Sequence, residues 1–221
     1  SLFTNIPIKE TIDIILDKLF IDPLNKICGL QRENFGKLLE LAIKDSFFSF
    51  DGKIYKQIDG VAMGSPLGPV LANIFLAHHE VSWINTCPID YKPKLYRRSV
   101  NDTFLVFNNS VQATQFLDYL NIQHTNMKFT LETESNATLP FIGILIKRFE
   151  TTFETSVYRK TMFTGLYTNA DSFTPNRYKF GLINTLIHRA FKLCSTYQLF
   201  HHELMHLKSI LLKKWLRFKS N

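Results

Sequence analysis

The hydrophobic period of this chain switches repeatedly between that of a helix and that of a strand, and this alternation limits the folds open to it. Lys9–Ile21 places Ile12, Ile15, Leu16 and Leu19 on one helical stripe, and Asp22-Pro23 ends it. Arg32–Ser46 repeats the pattern with Phe35, Leu38, Leu39, Ala42 and Ile43. Asp51-Gly52 then stands between Phe47–Phe50 and Lys53–Tyr55, a two-residue connection that favours a hairpin. A glycine- and proline-rich loop, Gly60–Pro66, leads into a further stripe of Val70, Leu71, Ile74 and Phe75. Ser65 suits the N-cap and Pro66 the first helical position, with Pro69 still in the first turn and the helix running to about Glu80.

Downstream, Lys94–Val100 and Thr103–Phe107 read as strands meeting at Asn101-Asp102, a pair that tolerates turn geometry. Gln112–Leu120 reads as a helix, and Lys128–Glu134, Phe141–Lys147 and Thr155–Tyr158 as strands. From Arg177 the chain is helical almost to its end, with Leu182, Ile183, Leu186, Ile187, Ala190, Phe191 and Cys194 on one stripe. Helices interleaved with hairpins predict an α+β fold, an antiparallel sheet with helices on one face, followed by a helical C-terminal part. The expected parts are 1–155 and 156–221.

A chain of 221 residues suffices for one large domain or two small ones, and 45% hydrophobic with 20% charged residues excludes a disordered chain. No apolar run approaches the roughly 20 residues that cross a bilayer, and no signal-peptide pattern opens the sequence. Cys28, Cys87 and Cys194 are odd in number and lack CxxC spacing, the usage of reduced, buried thiols in an intracellular protein. The natural start is expected upstream of Ser1. The net charge of +7 is unevenly placed: residues 1–150 hold 15 Lys/Arg against 16 Asp/Glu, and residues 151–221 hold 11 against 3. A one-sided basic field suits a polyanion such as a nucleic-acid backbone, and a solvated face kept for solubility is the plainer alternative.

Six strings and one helix, in this order and spacing, resemble the reverse transcriptases of Penelope-like retroelements over nearly the whole chain. They are Ser1-Leu2-Phe3-Thr4-Asn5-Ile6-Pro7, Gly60 to Pro69, Tyr96 to Phe104, Lys128-Phe129-Thr130-Leu131-Glu132, Leu139-Pro140-Phe141, Val157-Tyr158-Arg159-Lys160 and the helix Gly181–Ser195. The resemblance implies a partial polymerase palm over 1–155 and a basic helical thumb over 156–221. It also implies RNA-directed DNA polymerase ancestry, an RNA template and DNA primer as partners, and a nuclear setting.

In such enzymes two magnesium ions clamp the attacking and leaving oxygens, and magnesium wants carboxylate oxygen. The family's first metal-binding aspartate lies three residues before the serine matching Ser1, outside this sequence. The second comes from a Tyr-Val-Asp-Asp hairpin, which here reads Ser99-Val100-Asn101-Asp102. Asn101 thus replaces the principal ligand and Asp102 alone keeps its carboxylate, so an inactive copy is expected. The same residues also suit a plain hairpin turn. Phe3 matches the aromatic set against the sugar, though a core Phe is the simpler reading. Gly64, Ser65 and Pro66 match a nucleotide-side loop where glycine permits close approach, or simply a helix start. Leu139, Pro140 and Phe141 match the segment that grips the primer end. Gly143 stands where the family commonly has aspartate, and Thr161-Met162 replaces its usual Pro-Thr. Lys179, Arg189 and Lys192 flank the thumb stripe, and Lys208, Lys213, Lys214, Arg217 and Lys219 continue the basic surface.

Two other functions compete with polymerisation. One is a non-catalytic nucleic-acid-binding remnant. The other is a zinc metalloprotease, because His202-Glu203-Leu204-Met205-His206 fits H-E-x-x-H. No third ligand follows His206, and Leu204, Leu207, Leu211 and Trp215 form an ordinary amphipathic stripe. His78 and His79 read as helix-surface residues without a partner cluster.

Overall fold

The computed structural model of the protein describes residues 2–215 apart from 23, 45, 46, 63 and 170. It is α+β, with seven α-helices and seven short strands among the described residues. The chain divides into two compact units, Ser1–Leu131 and Glu132–Asn221.

The first unit runs α1 (Leu2–Asn5), α2 (Ile8–Leu19), α3 (Arg32–Ile43), β1 (Phe47–Phe50), β2 (Lys53–Lys56), α4 (Gly68–Thr86), β3 (Leu95–Ser99), β4 (Asp102–Val106) and α5 (Ser110–Gln123). Helix α4 is its axis, buried on several sides. Leu71 joins Ile12, Ile15, Leu16, Ile43 and Val61 in one cluster. Ala72, Phe75, Leu76 and Trp83 join Ile6, Ile14, Phe116, Leu120 and Met127 in another. Each large side chain that is fully buried here, Phe75 and Phe116 among them, stabilises the unit by roughly 1.5–3 kcal/mol.

The second unit comprises β5 (Thr138–Phe141), β6 (Ile144–Arg148), β7 (Phe153–Val157), α6 (Asn176–Leu193) and α7 (Tyr197–Trp215). Ser195, in the corner between its helices, accepts the Thr155 N–H on Oγ and donates its own N–H to the Thr155 carbonyl, both at 3.0 Å. That ladder-like contact holds β7 to the helices. The strands β5–β7 therefore group with them, and position 155 falls inside β7.

Several elements differ from the pattern-based expectation. Helix α4 begins at Gly68, because Ser65 is held in a turn: its carbonyl accepts the Gly68 N–H at 3.0 Å and its Oγ the Leu67 N–H at 3.3 Å. It continues past Glu80 to Thr86, since Trp83 on the next turn is a core residue. No single sheet forms among the described residues. The strands make three separate antiparallel sheets, β1-β2, β3-β4 and β5-β6-β7. Lys128–Glu134 is not a strand: the Asn121 side chain takes both the N–H and the carbonyl of Phe129, at 2.7 and 3.2 Å. Phe141–Lys147 is interrupted by a turn at Ile142-Gly143, with φ of 45° and 74°. The long C-terminal helix is two, split at Cys194–Thr196. Cys87 is buried, Cys194 half-buried and Cys28 exposed, which corrects the expectation that all three thiols are buried.

Candidate nucleic-acid interface

In the first unit, the hairpin that carries Asn101 and Asp102 pairs Ser99 with Asp102 and turns at Val100-Asn101. Val100 sits at φ 56°, a conformation strained for a β-branched residue. Arg98 braces the turn, donating to the Val100 carbonyl at 3.1 Å and to the Asn73 side chain at 3.0 Å. Its Nε donates to the buried Glu80 at 2.6 Å, and the Tyr96 hydroxyl donates to the same carboxylate oxygen. Burial, and then this carboxylate, push the Tyr96 phenol well above its ordinary range. The hairpin is a rigid turn on a buried polar anchor.

At its tip the Asn101 amide donates to the Asp102 carboxylate at 3.3 Å, and both residues are exposed. Asn101 contributes no charge, and among the described residues no group of three His, Cys, Asp or Glu ligands includes Asp102. This donor set does not fit a two-magnesium centre.

Phe3 lies beside the Gly60–Pro66 loop. Its carbonyl accepts the Val61 N–H at 2.8 Å and its ring packs against the core, 3.8 Å from where a Cβ on Gly68 would stand. Gly60, at φ 75°, cannot carry a side chain, because a Cβ would lie 2.3 Å from the Thr4 carbonyl oxygen. Gly64, at φ 92°, faces open space, and Ser65 and Pro66 follow it at the surface.

In the second unit, Leu139, Pro140 and Phe141 are half-buried in β5, with Pro140 opposite Leu145. The Gly143 carbonyl, in the turn that follows, accepts from the Tyr158 N–H at 2.9 Å and from Arg189 at 3.2 Å. The Arg189 guanidinium occupies the space of a side chain at 143, 2.5 Å from a Cβ placed there. Arg189 is thus held on the sheet turn. Lys179 is likewise engaged, donating to the Ser172 carbonyl at 2.8 Å. Lys192 is exposed, and with Arg177 and His188 it lies on the outer face of α6, while Lys208 is exposed on α7. The side chains of Lys213, Lys214 and Trp215, and all of Arg217 and Lys219, lie outside the described residues.

A cleft of about 350 Å³ opens between β7 and the helices, lined by Tyr158, Lys160, Phe163, Tyr167, Leu186 and Arg189 among others. On its wall, Arg159 makes a two-pronged ion pair with Glu203, one bond at 2.8 Å. Hydrogen bonding to Glu203 raises the Arg159 pKa further. Glu203 is buried and committed to this pair, so it is no general base, and His202 and His206 point outward to solvent. The H-E-x-x-H string is an ion-paired helix.

His79 is not a plain surface residue, as the sequence suggested. It contacts Glu10 and, with His124, forms a cluster of possible metal ligands. Glu10 lies 69 residues before His79 and 114 before His124, and no local pattern signals the grouping.

The animal helix-turn-helix domain is the family whose sequence model matches, over residues 166–214. That stretch contains α6, the Cys194–Thr196 corner and nearly all of α7. No curated protein matches the chain. Among the described residues no helix is long and apolar enough to cross a membrane.

Proposed function

We propose that this chain binds nucleic acid through the basic surface of its second unit and carries out no polymerisation itself. The observation that carries the reading is the charge division: residues 132–221 hold 13 Lys/Arg against 6 Asp/Glu, and residues 1–131 hold 13 of each. The helix-turn-helix match falls within the basic unit, and domains of that name are associated with DNA binding. The partner is an RNA–DNA hybrid or a related duplex, held by its phosphates. The ancestry is that of a Penelope-like reverse transcriptase with palm and thumb, supported by the order and spacing of the motifs and by the braced Val100–Asn101 turn. Magnesium is the cofactor of that ancestry, and Asn101 puts a neutral amide where the hairpin's principal carboxylate ligand would stand.

The test is a fluorescence-anisotropy titration of the intact chain with an RNA–DNA hybrid, with heparin as competitor. Arg177, Lys192 and Lys208 are exposed, so changing them together to Gln is expected to leave the fold intact. The expected outcome is hybrid binding at low salt that weakens at least tenfold in the triple variant. Equal affinity in the two proteins would overturn the reading.

A further inference from the structure

We propose that Glu10, His79 and His124 form a binding site for one divalent transition-metal ion of the zinc class. The three come from different elements: Glu10 from the first turn of α2, His79 from midway along α4, and His124 from the residue that ends α5. Both imidazoles aim Nε2 at one carboxylate, His79 at 2.9 Å from Oε1 and His124 at 3.2 Å from Oε2. The three ligand atoms all lie within 4.8 Å of one another. Zinc bonds to nitrogen and oxygen are about 2.0–2.2 Å, which separates tetrahedral ligand atoms by roughly 3.3–3.5 Å. The distances across the carboxylate are close to that spacing, so small side-chain shifts admit an ion.

The surroundings fix the rings. The Phe75 edge meets His79 at 4.6 Å and His124 at 5.2 Å, and Trp83 stacks on His79 at 5.4 Å. The side chains of His79, His124 and Glu10 are 20%, 14% and 39% exposed, which leaves the carboxylate side open to solvent and to an entering ion. Two imidazoles and one carboxylate select a borderline ion over magnesium or calcium, which prefer oxygen alone. Water completes the coordination.

Without metal, the His124 Nδ1 accepts the Asn126 N–H at 3.2 Å, so the ring proton sits on Nε2 and is shared with Glu10. Binding at Nε2 requires the other tautomer, and the Asn126 contact then opens. Asn126 is exposed in a turn, which makes that change local. It also gives a spectroscopic signature.

The experiment titrates the full chain, in a His202→Ala/His206→Ala background that removes the exposed histidine pair, with zinc chloride by calorimetry and with cobalt(II) by absorption. The expected result is one ion per chain, visible cobalt bands of a low-coordinate N/O site, a shifted Asn126 amide resonance and a raised melting temperature. His79→Ala and His124→Ala are each expected to weaken binding by about 100-fold or more. Glu10→Gln keeps the shape and one acceptor oxygen while removing the charge, so it separates loss of a ligand from loss of fold, and it too is expected to weaken binding. Absence of stoichiometric binding, or an affinity unchanged in Glu10→Gln, would overturn the site and leave a hydrogen-bonded triad.

Discussion

Two glycines a few positions apart illustrate how much a single residue's surroundings decide. Gly60 and Gly64 both have positive φ, yet a side chain at 60 meets the Thr4 backbone and one at 64 meets nothing. Gly64→Ala is therefore expected to cost only the backbone strain, about 1–2 kcal/mol. Gly60→Ala adds a clash with backbone atoms that cannot rotate away, and should be worse by several-fold. Urea denaturation of the two variants, compared with the parent, measures the difference, and equal costs would contradict it. Asn101 is the other residue with a sharp consequence. With one neutral amide and one exposed carboxylate at the tip, the chain is expected to show no template-dependent extension with magnesium or manganese. Incorporation above a no-template control would refute that.

Among the elements, those with strong local signals were legible in the sequence. Asp51-Gly52 turns the first hairpin at φ 49° and 71°, and the apolar stripes of α2 and α3 appear within a few residues of their expected ends. Misreadings arose where a distant partner decides the local structure. Asn121 takes the hydrogen bonds of Phe129, and Ser195 fastens the helical corner to Thr155. The H-E-x-x-H string was rightly set aside for want of a third ligand, but the ion pair of Glu203 was not legible, because Arg159 lies 44 residues away. The grouping of Glu10, His79 and His124 was illegible for the same reason. Removing the partner of a buried carboxylate leaves its charge uncompensated, so Arg159→Ala is expected to destabilise the second unit by about 3 kcal/mol. Ser195→Ala, which removes a single side-chain acceptor, should cost about 1 kcal/mol. Chemical denaturation orders the two, and a larger effect at Ser195 would contradict the importance assigned to the ion pair.

For the whole molecule, the unequal charge of the two units carries the functional account. The first unit is neutral and holds the main apolar clusters, whereas among the described residues of the second only Ala190 and Leu207 are fully buried apolar side chains. The sequence showed the charge division but not what each cation touches. Lys179 and Arg189, chosen because they flank the apolar stripe, donate to backbone carbonyls, Arg189 while still exposed, and Arg177, Lys192 and Lys208 are exposed as well. Phosphate contacts release counterions, each contributing roughly 0.7–0.9 to the slope of log affinity against log salt. The most direct test is therefore that slope, measured for an RNA–DNA hybrid with the intact chain and with the Arg177→Gln/Lys192→Gln/Lys208→Gln variant. The account predicts a steep negative slope that becomes shallower by roughly 2–3 in the variant. A flat salt dependence, or the same slope in both proteins, would contradict it.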